Sequence, residues 1–430
     1  MKIAFITPGH GLQFYCQNCF RDSGLIQSLA TLGHEVIKVP MYISSGVETG
    51  ADVASTPVFY GAVNIYLKEK LPFYRSAPLW MERLFDSPAM LRLAAKKSGS
   101  TRPTGLEEMT LSMLRGEKGR QASDLDRLIR HLKENIAPDV VHLSNALLLG
   151  LAHRIKKDVG AGVVCSLQDE NEWVDLMGVD YQKVVWDLMA EKAVDVDSFV
   201  SASQYYAGIA QGKLRLIENR IKVIPGGVDL EGYEKSDLPF DPPVIGFLCR
   251  MSEYFGLDVL VEAFLKLKRD NRFRDLKLHL TGGYSGDDKK FLNGLMRKIT
   301  GNGFINDVSV FEDFQKSSRI AFLKSLTLLS VPVPAGEAFG AYQVESLAAG
   351  VPVVQPNVGC YPEFIAKTQG GLIYEPNTGE KLASAMASLL SDPAYLRRLG
   401  EQGRRVVLED YSMGRMTQNM VGIYDDVVRA

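Results

Sequence analysis

The sequence predicts an α/β protein made of two doubly wound domains, each with a parallel sheet covered by helices. Short apolar, β-branched runs alternate with longer helix-like segments along the 430-residue chain, which is the order that a parallel sheet requires. This alternation stops at residues 226–243, where prolines and turn formers accumulate, and then resumes. At about 100–200 residues per domain, the length allows two or three domains.

The first predicted domain spans residues 1–225. Its strands are the apolar runs Ile3–Thr7, Glu35–Val39, Val63–Leu67, Val140–Leu143, Val163–Leu167, Ser198–Val200 and Ile221–Ile224. Helix-like patterns lie between them, at Ser23–Leu32, Leu125–Asn135, Leu147–Lys157 and Gln204–Glu218.

Residues 68–119 depart from the alternation and carry two helix-like stretches, Leu79–Lys97 and Leu106–Leu114. We predict a helical insertion packed on the first domain. An acceptor-binding or membrane-surface lobe is the alternative.

The second predicted domain spans residues 244–410 and follows a linker at 226–243. Its strands are Val244–Leu248, Leu276–Leu280, Val308–Phe311, Leu326–Val331, Val351–Val354 and Gly371–Tyr374. A helix over about 412–430 is expected to return to the first domain. In doubly wound sheets ligands bind beyond the carboxyl ends of the strands, so functional residues are sought there.

Charge and composition exclude several classes of protein. Lys plus Arg number 49 and Asp plus Glu 51, so no basic surface is expected for nucleic acid or anionic lipid. The apolar stretches are too short, or too often broken by proline, for a membrane-spanning helix. The amino terminus does not resemble a signal peptide. We therefore expect a cytoplasmic protein with at most peripheral membrane contact.

Two nucleotide-binding motifs are only partly present. Gly9 and Gly11 begin a dinucleotide fingerprint, but Phe14 stands where the third glycine belongs. Residues 39–41 end the second strand without the acidic group that binds a ribose hydroxyl. Residues 208–214 lack the spacing and the hydroxyl residue of a P-loop. These departures disfavour a nicotinamide-dependent dehydrogenase and a P-loop ATPase.

Cys16 and Cys19 form a C-x-x-C pair, a spacing found in redox couples and in half of a zinc site. No second pair of Cys or His follows at ligand spacing, and five cysteines cannot all pair. The expected cytoplasmic location also disfavours disulfides. We predict that these two cysteines bind no metal and form no obligatory disulfide.

The strongest candidate site lies at residues 331–363. A strand leads into a loop that carries Glu337, and a helix carrying Glu345 follows. Both carboxylates can accept hydrogen bonds from sugar hydroxyls. Unpaired N–H groups at a helix start suit a phosphate or sugar oxygen, and those expected here belong to Phe339, Gly340 and Ala341. The alternative is a surface loop with a solvated glutamate.

Residues 337–354 resemble the E-x7-E region of the family 4 retaining glycosyltransferases, whose GT-B fold has two Rossmann-like domains facing a cleft. Further segments are similar to that family in order and spacing, namely Gly33–Val36, Pro225–Asp229, Arg250 with Gly256–Phe264, Val358–Glu363, Gly370–Tyr374 and the tail from Tyr411. The resemblance covers nearly the whole chain except residues 68–119.

The resemblance implies a hexosyltransferase that moves a sugar from a nucleotide diphospho-sugar to an unknown acceptor, with retention of anomeric configuration. The acceptor could be a saccharide, a lipid-linked molecule or a small molecule. The implied catalytic residues are Glu337, Arg250, Gln168 and Asp169. The implied donor-binding residues are Glu337, Ala338, Phe339, Gly340, Ala341, Glu345, Arg250, Gly9, Gly11 and Asp313. No metal or other cofactor is implied, because positive charge and helix dipoles stabilise the leaving diphosphate.

Three positions depart from the family pattern. Phe255 stands at the position of a lysine, Gln168 at that of a histidine, and Gly226 at that of an asparagine. The first two lie where the family places groups near the reaction centre. Two alternatives therefore stay open: a nucleotide-sugar-binding protein that has lost turnover, and a GT-B nucleotide-sugar epimerase.

Overall fold

The computed structural model describes residues 1–8, 14–41, 59, 105–217 and 219–429. The chain divides into two compact units. The first unit contains Met1–Gly11, Asp22–Ile224 and Thr417–Ala430, and the second contains Leu12–Arg21 and Pro225–Met416. Residues 12–21 thus group with the second unit, whereas the sequence placed them in the first domain.

The first unit is built on a parallel sheet with the strand order β2-β1-β3-β4-β5-β6. Its strands are β1 (Lys2–Thr7), β2 (Glu35–Pro40), β3 (Val140–Ser144), β4 (Gly162–Ser166), β5 (Ser198–Ser201) and β6 (Ile221–Val223). In the register, Ile3 pairs with Val36 on one side and with Val140 on the other. Every residue of β3 is buried, as expected for a strand covered on both faces.

Within the described residues, seven α-helices connect and cover these strands. They are α1 (Gln17–Thr31), α2 (Glu107–Leu114), α3 (Ala122–His131), α4 (Ala152–Arg154), α5 (Glu170–Val174), α6 (Val179–Lys192) and α7 (Gln204–Lys213). Helix α1 starts six residues before the predicted Ser23. The predicted strand Val63–Leu67 and helix Leu79–Lys97 lie outside the described residues.

The helix-like segment predicted over Leu147–Lys157 is helical in the structure, but it is not a regular α-helix. A 3₁₀ segment at Ala146–Leu151 is followed by the short α4 and a π-helical turn at Ile155–Val159. Gly150 lies so close to α2 that an added Cβ would come within 2.1 Å of the Met113 carbonyl oxygen. This tight packing, which local periodicity does not encode, accompanies the irregular path of the chain.

The second unit is also built on a parallel sheet, with the strand order β12-β11-β10-β7-β8-β9. Its strands are β7 (Val244–Leu248), β8 (Lys277–Thr281), β9 (Val308–Phe311), β10 (Leu328–Leu329), β11 (Val353–Pro356) and β12 (Gly371–Tyr374). The predicted strand Leu326–Val331 is reduced to the two residues of β10.

Helices of the second unit alternate with its strands. They are α8 (Leu257–Lys268), α9 (Lys289–Gly301), α10 (Lys316–Lys324), α11 (Ala341–Ala348), α12 (Tyr361–Thr368), α13 (Gly379–Leu390) and α14 (Pro393–Asp410). The last helix, α15 (Met413–Arg429), continues into the first unit. There the hydroxyl of its Tyr424 lies 2.7 Å from Nδ1 of the buried His142.

No helix in the described part of the chain is long and apolar enough to cross a membrane.

Candidate functional site

The candidate site of the second unit lies where the strand order changes direction. β7 and β10 are neighbours in the sheet. From β7 the chain continues to β8 on one side, and from β10 it continues to β11 on the other side. Ligands bind at such a switch point in doubly wound sheets, beyond the carboxyl ends of the strands. Arg250 follows β7, and the loop with Glu337 follows β10. The topology therefore places both predicted groups at the expected edge of the sheet.

Two glycine-containing loops hold the backbone of Glu337. Gly336 and Gly359 have positive φ angles of 72° and 63°. A Cβ on Gly336 would come within 2.5 Å of Gly359, so only glycine allows the two backbones to approach this closely. The N–H of Cys360 then donates to the carbonyl oxygen of Glu337 at 3.1 Å. The position of Glu337 is therefore set by the backbone.

The carboxylate of Glu337 is buried, with 2% exposure. It accepts hydrogen bonds from the hydroxyls of Tyr342 and Tyr361, the latter at 2.8 Å. The side-chain amide of Gln17 donates to its other oxygen, also at 2.8 Å. Burial raises the pKa of Glu337, and the three donors oppose that rise. All three partners are side-chain groups, which can turn away without moving the backbone.

The same Gln17 amide also binds the start of α11. Gly340, with φ 74°, precedes this helix, and the N–H of Ala341 donates to Oε1 of Gln17 at 2.7 Å. The Gln17 amide thus donates a hydrogen bond to Glu337 and accepts one from the helix start. Gln17 was not predicted, because nothing in the local sequence links it to residues more than 300 positions away.

Glu345 is also buried and is held by a second set of donors. The Tyr15 hydroxyl donates to Oε1 at 2.9 Å, and the Tyr233 hydroxyl donates to Oε2 at 2.6 Å. Arg319 donates to Oε2 from Nε at 2.7 Å. Burial, reinforced by the Glu345 charge, raises the pKa of Tyr15, so its hydroxyl stays protonated and remains a donor. The sequence analysis missed all three partners.

Arg250 is held by a pair of groups that precede α9. Its Nε donates to Asp288 Oδ2 at 2.9 Å, and one terminal nitrogen donates to Ser285 Oγ at 2.8 Å. The guanidinium carbon also lies 4.6 Å from the centre of the Phe14 ring. The sequence predicted a cation facing a diphosphate, and the structure shows this cation ion-paired with Asp288.

Phe339 explains one departure from the family pattern. Its buried ring packs so closely on Gly226 that a Cβ there would come within 2.6 Å of the ring. An asparagine at position 226 would collide with this ring. Ala338, the residue before Phe339, is buried as well.

Phe255 and Asp313 lie at helix starts of the second unit. Phe255 is half-buried in the turn before α8, with its ring edge-on to Tyr254 at 5.0 Å. Asp313 is exposed before α10, where it accepts from the N–H of Gln315 at 2.9 Å and from the Ser318 hydroxyl. In this structure Asp313 therefore holds the turn before α10, and its predicted role in donor binding stays a prediction.

Gln168 and Asp169 follow β4 in the first unit. The Gln168 amide donates to Ser144 Oγ at 2.6 Å and lies 3.3 Å from a carboxylate oxygen of Asp22. Asp169 is buried and has a left-handed backbone with φ 57°. Both side chains therefore lie at the carboxyl edge of this sheet. Gly9 and Gly11 lie outside the described residues.

We predicted no obligatory disulfide between Cys16 and Cys19, and the structure corrects this expectation by joining them in a disulfide. Cys16 directly precedes α1, so one turn of helix brings the Cα of Cys19 to within 5.3 Å of its own. That separation lies within the range of disulfides. In the part of the chain that the structure describes, no group of three or more His, Cys, Asp or Glu side chains could hold a metal ion.

Two family profiles match adjoining parts of the sequence. Residues 231–406 match the profile described as "Glycosyl transferases group 1". Residues 107–231 match the profile described as "Glycosyltransferase Family 4". The first match includes Glu337, Glu345 and Arg250, and the second includes Gln168 and Asp169.

A curated relative matches part of the chain, and solved structures match nearly all of it. The D-inositol 3-phosphate glycosyltransferase of Nocardia farcinica is 27% identical over 214 residues, or 46% of this chain and 47% of the relative. The match thus spans about half the length of that relative. Sucrose-phosphate synthase from Thermosynechococcus elongatus has a TM-score of 0.71 and 16% identity, with 99% of both chains covered. Anabaena HepE, crystallised with UDP-glucose, has a TM-score of 0.66 and 15% identity over 99% of this chain and 100% of its own. At these identities the structural likeness shows the fold alone.

Proposed function

We propose that this chain, which belongs to the family 4 glycosyltransferases and has their GT-B fold, is a hexosyltransferase that uses a nucleotide diphospho-sugar donor. The names of its relatives support this proposal. One is a D-inositol 3-phosphate glycosyltransferase, and a structural neighbour was crystallised with UDP-glucose. The site described above supplies the chemistry that such a donor needs.

The observation that carries the proposal is the pair of groups that bind Gln17. The Glu337 carboxylate accepts a hydrogen bond, and the Ala341 N–H at the start of α11 donates one. A sugar hydroxyl beside a diphosphate oxygen offers the matching donor and acceptor. The N–H groups and the dipole of a helix start also favour a phosphate. We therefore assign sugar hydroxyls to Glu337 and the diphosphate to the start of α11.

These groups would also act during transfer of the sugar. Negative charge grows on the diphosphate as its bond to the anomeric carbon breaks, and fixed donors aimed at that charge lower the barrier. Ala341 and its neighbours at the helix start would supply such donors. Arg250, held in place by Asp288 and Ser285, would add positive charge. We propose transfer with retention of configuration and without a metal, as the family resemblance implies.

The acceptor is assigned to the first unit. Gln168 and Asp169 follow β4, at the sheet edge where ligands of doubly wound domains bind. We propose that they contact an acceptor that is a saccharide, a lipid-linked molecule or a small molecule. A cytoplasmic location remains part of this proposal.

A nucleotide-sugar-binding protein without turnover is the second candidate. Two observations favour it: Phe255 replaces the lysine of the family pattern, and the charge of Arg250 is already paired with Asp288. Such a protein would bind a donor without consuming it.

Donor binding and donor consumption separate the two candidates. Thermal-shift titrations with UDP-glucose and GDP-mannose should raise the melting temperature of the wild type, because a ligand stabilises the state that binds it. Glu337→Ala should lose most of this rise, whereas Glu409→Ala, at an exposed site on α14, should keep it. Consumption of the bound donor identifies the enzyme. The absence of any shift across a wide nucleotide-sugar panel would contradict both candidates.

Phe255→Lys tests the missing cation. If Phe255 lies where the leaving diphosphate needs positive charge, a lysine there should speed donor consumption by about 100-fold. Tyr254→Lys adds the same charge one residue away and is the matched control. The rate of donor consumption is measured for each variant by chromatography of the released nucleoside diphosphate. Fast wild-type turnover that Phe255→Lys leaves unchanged would show that the site needs no cation at this position.

A further inference from the structure

Residues 14–20, here called the N-terminal segment, lie on the groups that the proposed function assigns to the donor. Gln17 bonds both Glu337 and the N–H of Ala341, at 2.8 and 2.7 Å. Each bond uses a group that a sugar hydroxyl or phosphate oxygen would need. Gln17 and the donor therefore compete for the same partners.

The second carboxylate is covered by the same segment. The Tyr15 side chain, only 3% exposed, donates to Oε1 of Glu345. The other oxygen of Glu345 already accepts from Tyr233 and Arg319. A ribose diol could therefore reach this carboxylate only if Tyr15 moved away.

Two aromatic rings of the segment lie against the cations of the site. Phe14 packs on the guanidinium of Arg250 at 4.6 Å, and Phe20 packs on that of Arg319, also at 4.6 Å. The segment thus contacts Arg250, Glu337, Ala341 and Glu345 at once. Rotation of one side chain would not uncover the site, because the contacts lie along several successive residues.

Backbone bonds anchor the start of the N-terminal segment. Phe14 forms an antiparallel bridge with Gly283, and the N–H of Tyr15 donates to the carbonyl of Gly282 at 2.7 Å. After these bonds the chain enters the Cys16–Cys19 disulfide, which closes the first turn of α1 around Gln17. Both cysteines are partly exposed, so a thiol reagent can reach this turn.

We propose that the Cys16–Cys19 disulfide is a redox switch for donor binding. The oxidised pair keeps Tyr15 and Gln17 on Glu345 and Glu337, and its reduction lets the segment leave these carboxylates to the donor. The switch rests on the proposed function, since it needs a donor that binds at these groups. The physical basis of the switch is conformational entropy. The cross-link restricts the turn when it is away from the two carboxylates, which lowers the entropy of that state and favours the state in which Tyr15 and Gln17 bind them.

Reduction requires a dithiol as the co-reactant. One thiolate of the dithiol attacks Cys19 Sγ, the disulfide bond breaks, and Cys16 leaves as a thiolate that takes up a proton. The second thiol of the dithiol then attacks the mixed disulfide, which frees Cys19 and leaves the reagent as its own disulfide. Two electrons pass to the protein. The Cys19 N–H lies 3.4 Å from Cys16 Sγ at the helix start, which stabilises Cys16 as the leaving thiolate.

The test compares oxidised and dithiothreitol-reduced protein. Three of the five cysteines form no disulfide in the structure. Alkylation under denaturing conditions therefore labels three thiols in the oxidised protein and five in the reduced protein, which verifies the redox state. Calorimetric titration then gives the Kd of UDP-glucose or GDP-mannose, whichever gives the larger thermal shift. The reduced protein should bind about tenfold more tightly. The double variant Cys16→Ser with Cys19→Ser should bind like reduced protein under both conditions.

Two further variants test whether Gln17 carries the effect. Gln17→Ala should bind more tightly than wild type in the oxidised state and show a smaller redox difference. Asn18→Ala, altered within the same turn, should keep the full difference. Equal Kd values for oxidised and reduced wild type would overturn the switch and leave the proposed function standing. Absence of donor binding in both states would overturn the proposed function and the switch with it.

Discussion

Two buried glutamates, Glu170 in the first unit and Glu337 in the second, are each 2% exposed and have pKa values raised by burial. Their partners differ in kind. Glu170 accepts from the backbone N–H groups of Ala146 and Gln168 at 2.9 and 3.1 Å, and from one hydroxyl, that of Tyr206. Glu337 accepts from two tyrosine hydroxyls and from the amide of Gln17.

This difference separates a structural carboxylate from one that can bind a ligand. Backbone N–H groups point in fixed directions, so those of Ala146 and Gln168 cannot turn from Glu170 to other partners. The hydroxyls on Glu337 can re-pair, because those of Tyr342 and Tyr361 already lie 2.9 Å apart. Burial alone therefore does not identify a functional acid. Under the proposed function, the freedom of its hydrogen-bond partners is what distinguishes Glu337 from Glu170.

The largest expected effect is on stability. Glu170→Ala leaves backbone N–H donors buried without an acceptor, which should lower the free energy of unfolding by about 3 kcal/mol. Glu337→Ala should cost only about 1 kcal/mol, because its hydroxyl donors can bond to each other. Urea titrations of both variants, with the exposed Glu409→Ala as control, measure the difference. Equal losses of unfolding free energy in the two variants would contradict the proposed difference between Glu170 and Glu337.

The second effect is on donor affinity, where Glu337→Ala should have the larger effect of the two variants. Glu337→Ala removes an acceptor of charged hydrogen bonds and should weaken donor binding by about 2 kcal/mol, or about 30-fold. Glu170→Ala, measured at a temperature where it stays folded, should leave the Kd unchanged. Calorimetry on the reduced proteins gives both values. An affinity that falls with Glu170→Ala and not with Glu337→Ala would reverse the assignment.

The smallest effect is a pH dependence of donor binding. The ionised form of Glu337 is the better acceptor for sugar hydroxyls, and burial raises its pKa above the ordinary 4.5. The affinity for the donor should therefore be highest at a pH well above that raised pKa, and it should weaken severalfold as the pH falls through the pKa. Glu337→Gln should flatten the profile. A wild-type profile that stays flat as the pH falls from neutrality to 4.5, the ordinary pKa of a glutamate, would contradict the ionised acceptor.

Local sequence patterns predicted most of the architecture. The strands Val244–Leu248 and Gly371–Tyr374 have the predicted bounds, because short apolar runs between turn formers are typical of parallel strands. The helix start near Phe339 was predicted from glycine and strand-loop-helix order, and Gly340 does precede α11. These features depend on neighbouring residues only.

The partners of the site could not be predicted in this way. Gln17 meets Glu337 across 320 residues, and Tyr15 meets Glu345 across 330. Such pairs depend on how the whole unit folds, and glutamine and tyrosine are common residues without a motif of their own. The disulfide was missed because compartment and residue spacing were given more weight than the helix geometry that brings Cys16 and Cys19 together.

The most direct test of the central claim is a crystal structure of the reduced protein with the nucleotide diphospho-sugar that gives the largest thermal shift. The account predicts a sugar hydroxyl hydrogen-bonded to Glu337, a diphosphate oxygen hydrogen-bonded to the N–H of Ala341, and Gln17 displaced from both. A donor bound elsewhere, with Gln17 still on Glu337 and Ala341, would contradict it.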